Sequence, residues 1–142
     1  MKNIIKLKAI LGVVLAFAAL AALQSCSKEK DSAASIYLEA PADNALIYLE
    51  DGNVRFAWSA DSEVKDGFTL VLTGTSPDQT RSYKLLSTAY SREIVASDFD
   101  TLLKEWGAKP GENFILRWNV NSTVEGQGKS NGERTLKIRV LP

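Results

Sequence analysis

Phe114-Ile115-Leu116-Arg117-Trp118-Asn119-Val120 (FILRWNV) is the stretch whose spacing decides the fold. Phe114, Leu116, Trp118 and Val120 fall at every second position and alternate with Ile115, Arg117 and Asn119. Successive strand side chains point to opposite faces, so a period of two marks a strand with one buried face. Outward from this stretch the same period recurs. Leu136-Lys137-Ile138-Arg139-Val140 alternates most cleanly, Val54-Arg55-Phe56-Ala57-Trp58 sets Val54, Phe56 and Trp58 on one side, and Phe68-Thr69-Leu70-Val71-Leu72 does the same with Phe68, Leu70 and Leu72. Weaker strands are expected at 36–39, 45–49, 82–86 and 91–95.

Turn residues punctuate these runs: Pro41 to Asn44, Asp51-Gly52, Lys65 to Gly67, Ser76-Pro77-Asp78 and Gly126 to Gly132. Within the last, Gly126-Gln127-Gly128 reads as a hairpin connection. Seven or eight short strands in about 100 residues indicate an all-β, antiparallel sandwich of immunoglobulin or fibronectin type III kind. The connections are too short for parallel crossovers. One segment departs from the period. Phe99, Leu102, Leu103 and Trp106 share a helical face, which predicts a two-turn helix across one end of the sandwich. Ser97 with Asp100 fits its first turn as a cap, and Gly107 fits its end. The expected core therefore includes Phe56, Trp58, Leu70, Leu102, Trp106, Leu116, Trp118, Leu136 and Ile138.

The N-terminal residues are of another kind. MKNIIKLK carries Lys2, Lys6 and Lys8 and no acid, and AILGVVLAFAALAAL follows without a charge. This is the layout of a secretory leader. As a helix the apolar run spans roughly 22 Å, short of the ~30 Å hydrocarbon core. A membrane span would have to recruit Gln24, Ser25 and Cys26. Cys26 is the single cysteine. Leu23-Gln24-Ser25-Cys26 resembles a bacterial lipobox, with Gln24 larger than usual. The resemblance implies cleavage before Cys26 and a lipid anchor on its thiol, since several acyl chains hold a membrane stably where one does not. A plain leader leaving a free thiol is the competing reading. A core cysteine is excluded by its neighbours SKEKDSAAS. The chain thus divides into a leader at 1–25, a lipidated tether at 26–35 and one sandwich domain at 36–142. Lys28-Glu29-Lys30-Asp31 resembles a surface-export stretch, and Asp31-Ser32-Ala33 a short O-glycosylation signal.

Charge and composition narrow the function. Without the leader's three lysines, 14 basic side chains face 17 acidic ones, a net charge of −3. That argues against a basic surface for nucleic acid. Histidine is absent, so Ser-His-Asp and Cys-His arrangements are impossible. With Cys26 lipidated, soft metal ligands are gone as well. Asp61 to Gly67 fails the calcium-loop pattern at Lys65 and in the place of its glycine. A catalytic carboxylate pair needs a cleft that a small sandwich seldom has. The expectation is a non-enzyme with no cofactor and no metal.

Leu38 and Pro41, Phe56-Ala57-Trp58-Ser59, the Phe99-to-Gly107 helix, Pro110-Gly111, Leu116-Arg117-Trp118-Asn119-Val120 and Thr135-Leu136-Lys137-Ile138 follow one another in an order that resembles the N-terminal domain of SusE/SusF-type starch-utilisation lipoproteins. The resemblance covers essentially all of 36–142. It implies an immunoglobulin-like domain on an outer-membrane lipoprotein facing the cell surface, beside a glycan importer and its partner lipoproteins. Family members continue into further sandwich domains that carry the sugar-binding aromatics, and this chain stops at Leu141-Pro142. Glycan binding therefore does not carry over residue by residue. Stacking on a sugar ring needs an exposed aromatic face, and all three tryptophans are in inward phase. The outward tyrosines Tyr37 and Tyr48, and Tyr90 near a turn, are the candidate polysaccharide-binding residues; sheet-edge cover is their plainer role. The expected function is an accessory or scaffold subunit for glycan capture. The alternatives are a stand-alone carbohydrate-binding module and a structural or adhesive envelope subunit.

Overall fold

Each alternating run is a strand in the computed structural model, which describes residues 33–75 and 79–142. The leader, Cys26, residues 27–32 of the tether and the Ser76-Pro77-Asp78 turn lie outside the described residues. The described elements are β1 (Ala34–Ala40), β2 (Ala45–Tyr48), a 3-10 turn (Leu49–Asp51), β3 (Val54–Ala60), β4 (Phe68–Thr75), β5 (Thr80–Ser87), β6 (Ser91–Ile94), α1 (Ala96–Glu105), β7 (Asn113–Ser122), β8 (Gly128–Ser130) and β9 (Arg134–Arg139). One layer runs β5-β4-β7-β9-β2 and the other β6-β3-β1-β8, with β8 also reaching β7 at Asn121 and Lys129. The result is an all-β sandwich of immunoglobulin or fibronectin type III kind.

The two inner faces meet through aromatic rings. Phe56 of β3 stands edge-on to Trp118 of β7 at 5.0 Å, and Trp58 of β3 meets Phe68 of β4 at 5.6 Å. Such tilted pairs add about 0.5–1.5 kcal/mol beyond the apolar area they bury. Leu70, Leu116, Leu136 and Ile138 close the core around them, with no more than 1% of any side chain exposed. Leu102 is the exception among the expected core residues, being only half-buried. The cause is helical geometry: Phe99, Leu103 and Trp106 form the stripe that enters the core, and Leu102 lies one step round its margin.

Several expectations are corrected. The sandwich is not wholly antiparallel: β1 pairs in parallel with β8, and β2 with β9. Connection length does not forbid these pairs, because their strands are far apart in the chain and need no short crossover. The first two strands, expected as separate, join different layers, β1 pairing with β3 and β2 with β9, on either side of a cis Ala40–Pro41 bond. Gly128, expected in a hairpin connection, belongs to β8 and lies alongside Ala34. β1 begins at Ala34 rather than Ile36, and Ala34 is buried.

The helix is also longer and differently capped than expected. α1 has ten residues, and Ser97 lies inside it, its carbonyl accepting from the Thr101 hydroxyl at 2.9 Å. The opening cap comes from elsewhere: Asn53 Oδ1 accepts the Ala96 N–H at 3.0 Å. Asp100 faces inward, accepting the Leu141 N–H at 2.8 Å while its other oxygen pairs with Lys104 at 2.9 Å. Gly107 does end the helix. With φ at 108° it places its N–H on the Lys104 carbonyl, and the Ala108 N–H on that of Leu103. That double closure needs a left-handed residue, which glycine adopts without a Cβ penalty.

Candidate functional site

β5 is an edge strand; among the described residues it pairs with β4 alone. Its register sets Tyr83 opposite Leu72 and Leu85 opposite Leu70, so both side chains leave β5 on the core side of the layer. Yet Tyr83 is 44% exposed, because the opposing layer ends at β6 and leaves that side of the sandwich open. α1 covers part of the gap. An open groove of about 420 Å³ remains, bounded by Tyr83 and Leu85 of β5, Arg92 and Ile94 of β6, and Asp98, Thr101, Leu102 and Glu105 along one face of α1.

The groove has a defined frame. Arg92 Nη1 donates to the Leu86 carbonyl at 3.2 Å, and the Ser87 hydroxyl donates to the Ser91 carbonyl at 2.7 Å. These bonds tie β6 to β5 where no strand ladder joins them. Leu85, Ile94 and Leu102 give the floor an apolar surface, Tyr83 offers a ring face, and Asp98, Glu105 and Thr101 supply oxygen acceptors. An apolar wall with a few polar groups suits a small polar molecule carrying a flat apolar face. Sequence reasoning missed Tyr83. The available signal was its position two residues before Leu85 in a strand already anticipated.

The three tyrosines singled out from the sequence are exposed but are not brought together. Tyr37 is on β1 beside a shallow depression with Asp43 and Arg134. Tyr48 is on β2, where its ring lies under the Arg139 guanidinium at 5.3 Å. Tyr90 is in the β5–β6 turn, tilted against Phe68 at 5.1 Å, so its ring serves the core rim. The tryptophans are enclosed: Trp58, Trp106 and Trp118 are 2%, 7% and 1% exposed, and the indole N–H groups of Trp58 and Trp118 are buried. Cys26 lies outside the described residues. Among those residues no group of three or more His, Cys, Asp or Glu side chains is placed to hold a metal ion.

A second surface emerges on the outer face of the five-stranded layer. Registers align Lys84 with Val71 and Asn119, Thr73 with Arg117 and Thr135, and Ile115 with Lys137 and Leu46. Lys129 stands opposite Asn121, and Arg139 opposite Asn113 and Tyr48. The net charge, which argued against a basic surface for nucleic acid, does not show that these cations share one face.

No family model matches the chain, and no curated protein matches it. Among solved structures, the extracellular domain ascribed to the one-component system BT4673 of B. thetaiotaomicron aligns at 15% identity with a TM-score of 0.35. The alignment covers 75% of this chain and 15% of that one, a likeness too slight to carry fold or function across. No described helix is long and apolar enough to cross a membrane.

Proposed function

We propose that the protein is a non-enzymatic, lipid-anchored surface subunit that supports glycan capture at the outer membrane. The observation that carries this reading is the position of Cys26: it follows a basic and apolar leader directly and precedes the first strand residue, Ala34, by only eight positions. A thiol placed there has no core to enter, whereas acylation would hold the sandwich close to the bilayer. The three tryptophans fill the core rather than a cleft, which suits a supporting body beside an importer and its partner lipoproteins. The test is metabolic labelling with palmitate, together with protease treatment of intact cells expressing an epitope-tagged chain. Label on the wild type, none on Cys26→Ala, and a tag cut from outside are expected; an unlabelled wild type, or a protected tag, refutes the reading.

A second reading, direct sugar binding by the domain, is favoured by the Tyr83 groove. Its neutral hydroxyl-rich ligand would stack on the ring and hydrogen-bond to Asp98 and Glu105. Affinity electrophoresis in amylose decides it: Tyr83→Ala should abolish any retardation, and equal mobility with and without amylose for the wild type removes the idea.

A further inference from the structure

The outer face of the five-stranded layer concentrates positive charge. At its outward strand positions stand Lys84, Arg117, Lys137 and Arg139, with Lys129 of β8 beside Asn121. The carboxylates on this side come from the flanking loops: Glu125 shares a depression with Lys84 and Lys129, and Glu133 another with Lys129. The described residues hold 12 cationic and 14 acidic side chains in all, so with Glu125 and Glu133 counted on this side the remaining surface carries 7 cations against 12 acids. Among the described residues, Arg117 alone of the five is in an ion pair, at 3.1 Å from Glu133 beyond the strand end. Each of the five stands opposite neutral residues, so the sheet tolerates them on one face without gaining stability from their gathering. Between the cations lie Thr69, Thr73, Ser82, Thr135, Asn113 and Asn121, which both donate and accept hydrogen bonds, and the apolar Val71, Ile115 and Leu46.

We infer that this face binds an acidic polysaccharide, a chain of hydroxyl-bearing rings carrying carboxylate or sulfate groups. The cations match the repeated anionic groups, and the hydroxyls and amides between them match the sugar hydroxyls. A single-stranded nucleic acid would also meet the charge, but it needs stacking platforms. The one aromatic on this face is Tyr48, whose ring is already covered by Arg139. The inference deepens the glycan part of the proposed function and uses a different face from the Tyr83 groove, so the two fail separately.

The experiment measures binding of polygalacturonate to the full chain in non-ionic detergent by calorimetry and affinity electrophoresis, at low and at raised salt. Binding should weaken steeply with salt. It should fall by about tenfold or more in the triple variant Lys84→Gln, Lys129→Gln and Lys137→Gln. These side chains are exposed, so the variant should keep the wild-type circular dichroism spectrum. A control that neutralises Lys65, Arg81 and Lys109, off this face, should bind as the wild type does. No binding at low salt, an unaffected triple variant, or equal loss in the control overturns the inference. So does binding of single-stranded DNA or of phosphatidylglycerol vesicles as tightly as polygalacturonate.

Discussion

Gly74 sits on the inner face of β4, in phase with Leu70 and Leu72, at the point where Trp106 enters from the end of α1. A Cβ added there would lie 2.6 Å from Trp106 Cε3 and 2.9 Å from both Trp106 Cζ3 and Phe114 Cε1. Ordinary contact begins at 3.4 Å, so Gly74→Ala requires the indole to retreat by about 0.8 Å. The strand cannot yield instead, since Gly74 is paired on both sides, with Arg81 and with Leu116. Nor can the indole turn freely: it is 7% exposed, and the Phe114 ring stands 6.3 Å away. Overpacking of this kind costs about 1–3 kcal/mol. Alanine recovers about 0.5–1 kcal/mol of backbone entropy relative to glycine in a strand. The net expectation is a loss of about 0–2.5 kcal/mol, or a fall in Tm of up to about 10 °C for a domain of this size. Urea and thermal denaturation followed by circular dichroism measure it. A Trp106→Leu background should relieve the clash, with a coupling of about 0.5–3 kcal/mol in the double-mutant cycle. A Gly74→Ala protein more stable than the wild type, or a cycle with no coupling, would refute the claim that the indole is locked over this strand.

Other substitutions probe separate parts of the same frame. Asn53→Ala should destabilise by about 1 kcal/mol in urea denaturation, through loss of the cap on Ala96, whereas Ser97→Ala should stay within about 0.5 kcal/mol. Asp100→Ala, which leaves the Leu141 N–H without its acceptor, should cost about 1–3 kcal/mol. Asp100→Asn, which can keep that bond, should cost less in the same denaturation series. Leu116→Ala should lose about 2–5 kcal/mol while its outward neighbour Ile115→Gln changes stability by no more than about 0.5 kcal/mol; equal effects in parallel melts would mean the β7 register is wrong by one residue.

The strands and the core were legible because alternation is a local property. Phe114 to Val120 and Leu136 to Val140 state their own inner faces, and burying those faces leaves a sandwich as the way to enclose both. What was misread depends on partners distant in the chain. Ser97 and Asp100 have the spacing of a cap, but Asn53, 43 residues earlier, already holds the Ala96 N–H, and Asp100 is drawn inward to Leu141. β8 has three residues, opens on Gly128 and lies between Gly126 and Gly132, so it carried no periodic signal; it is a strand because β1 lies beside it. Tyr83 looked no different from any strand tyrosine until β6 proved to end the opposing layer and leave its ring uncovered. The charged face follows the same logic at larger scale. Lys84, Arg117, Lys129, Lys137 and Arg139 are dispersed over 56 residues, each an ordinary outward position in its own strand. Net charge, a sum over the whole chain, hides any such sorting. Only the registers of β4 on β5, β4 on β7, β7 on β8 and β7 on β9 bring these cations to one face. The candidate surface is therefore a property of strand pairing, and a one-residue slip of β7 would turn Arg117 into the core and dissolve it.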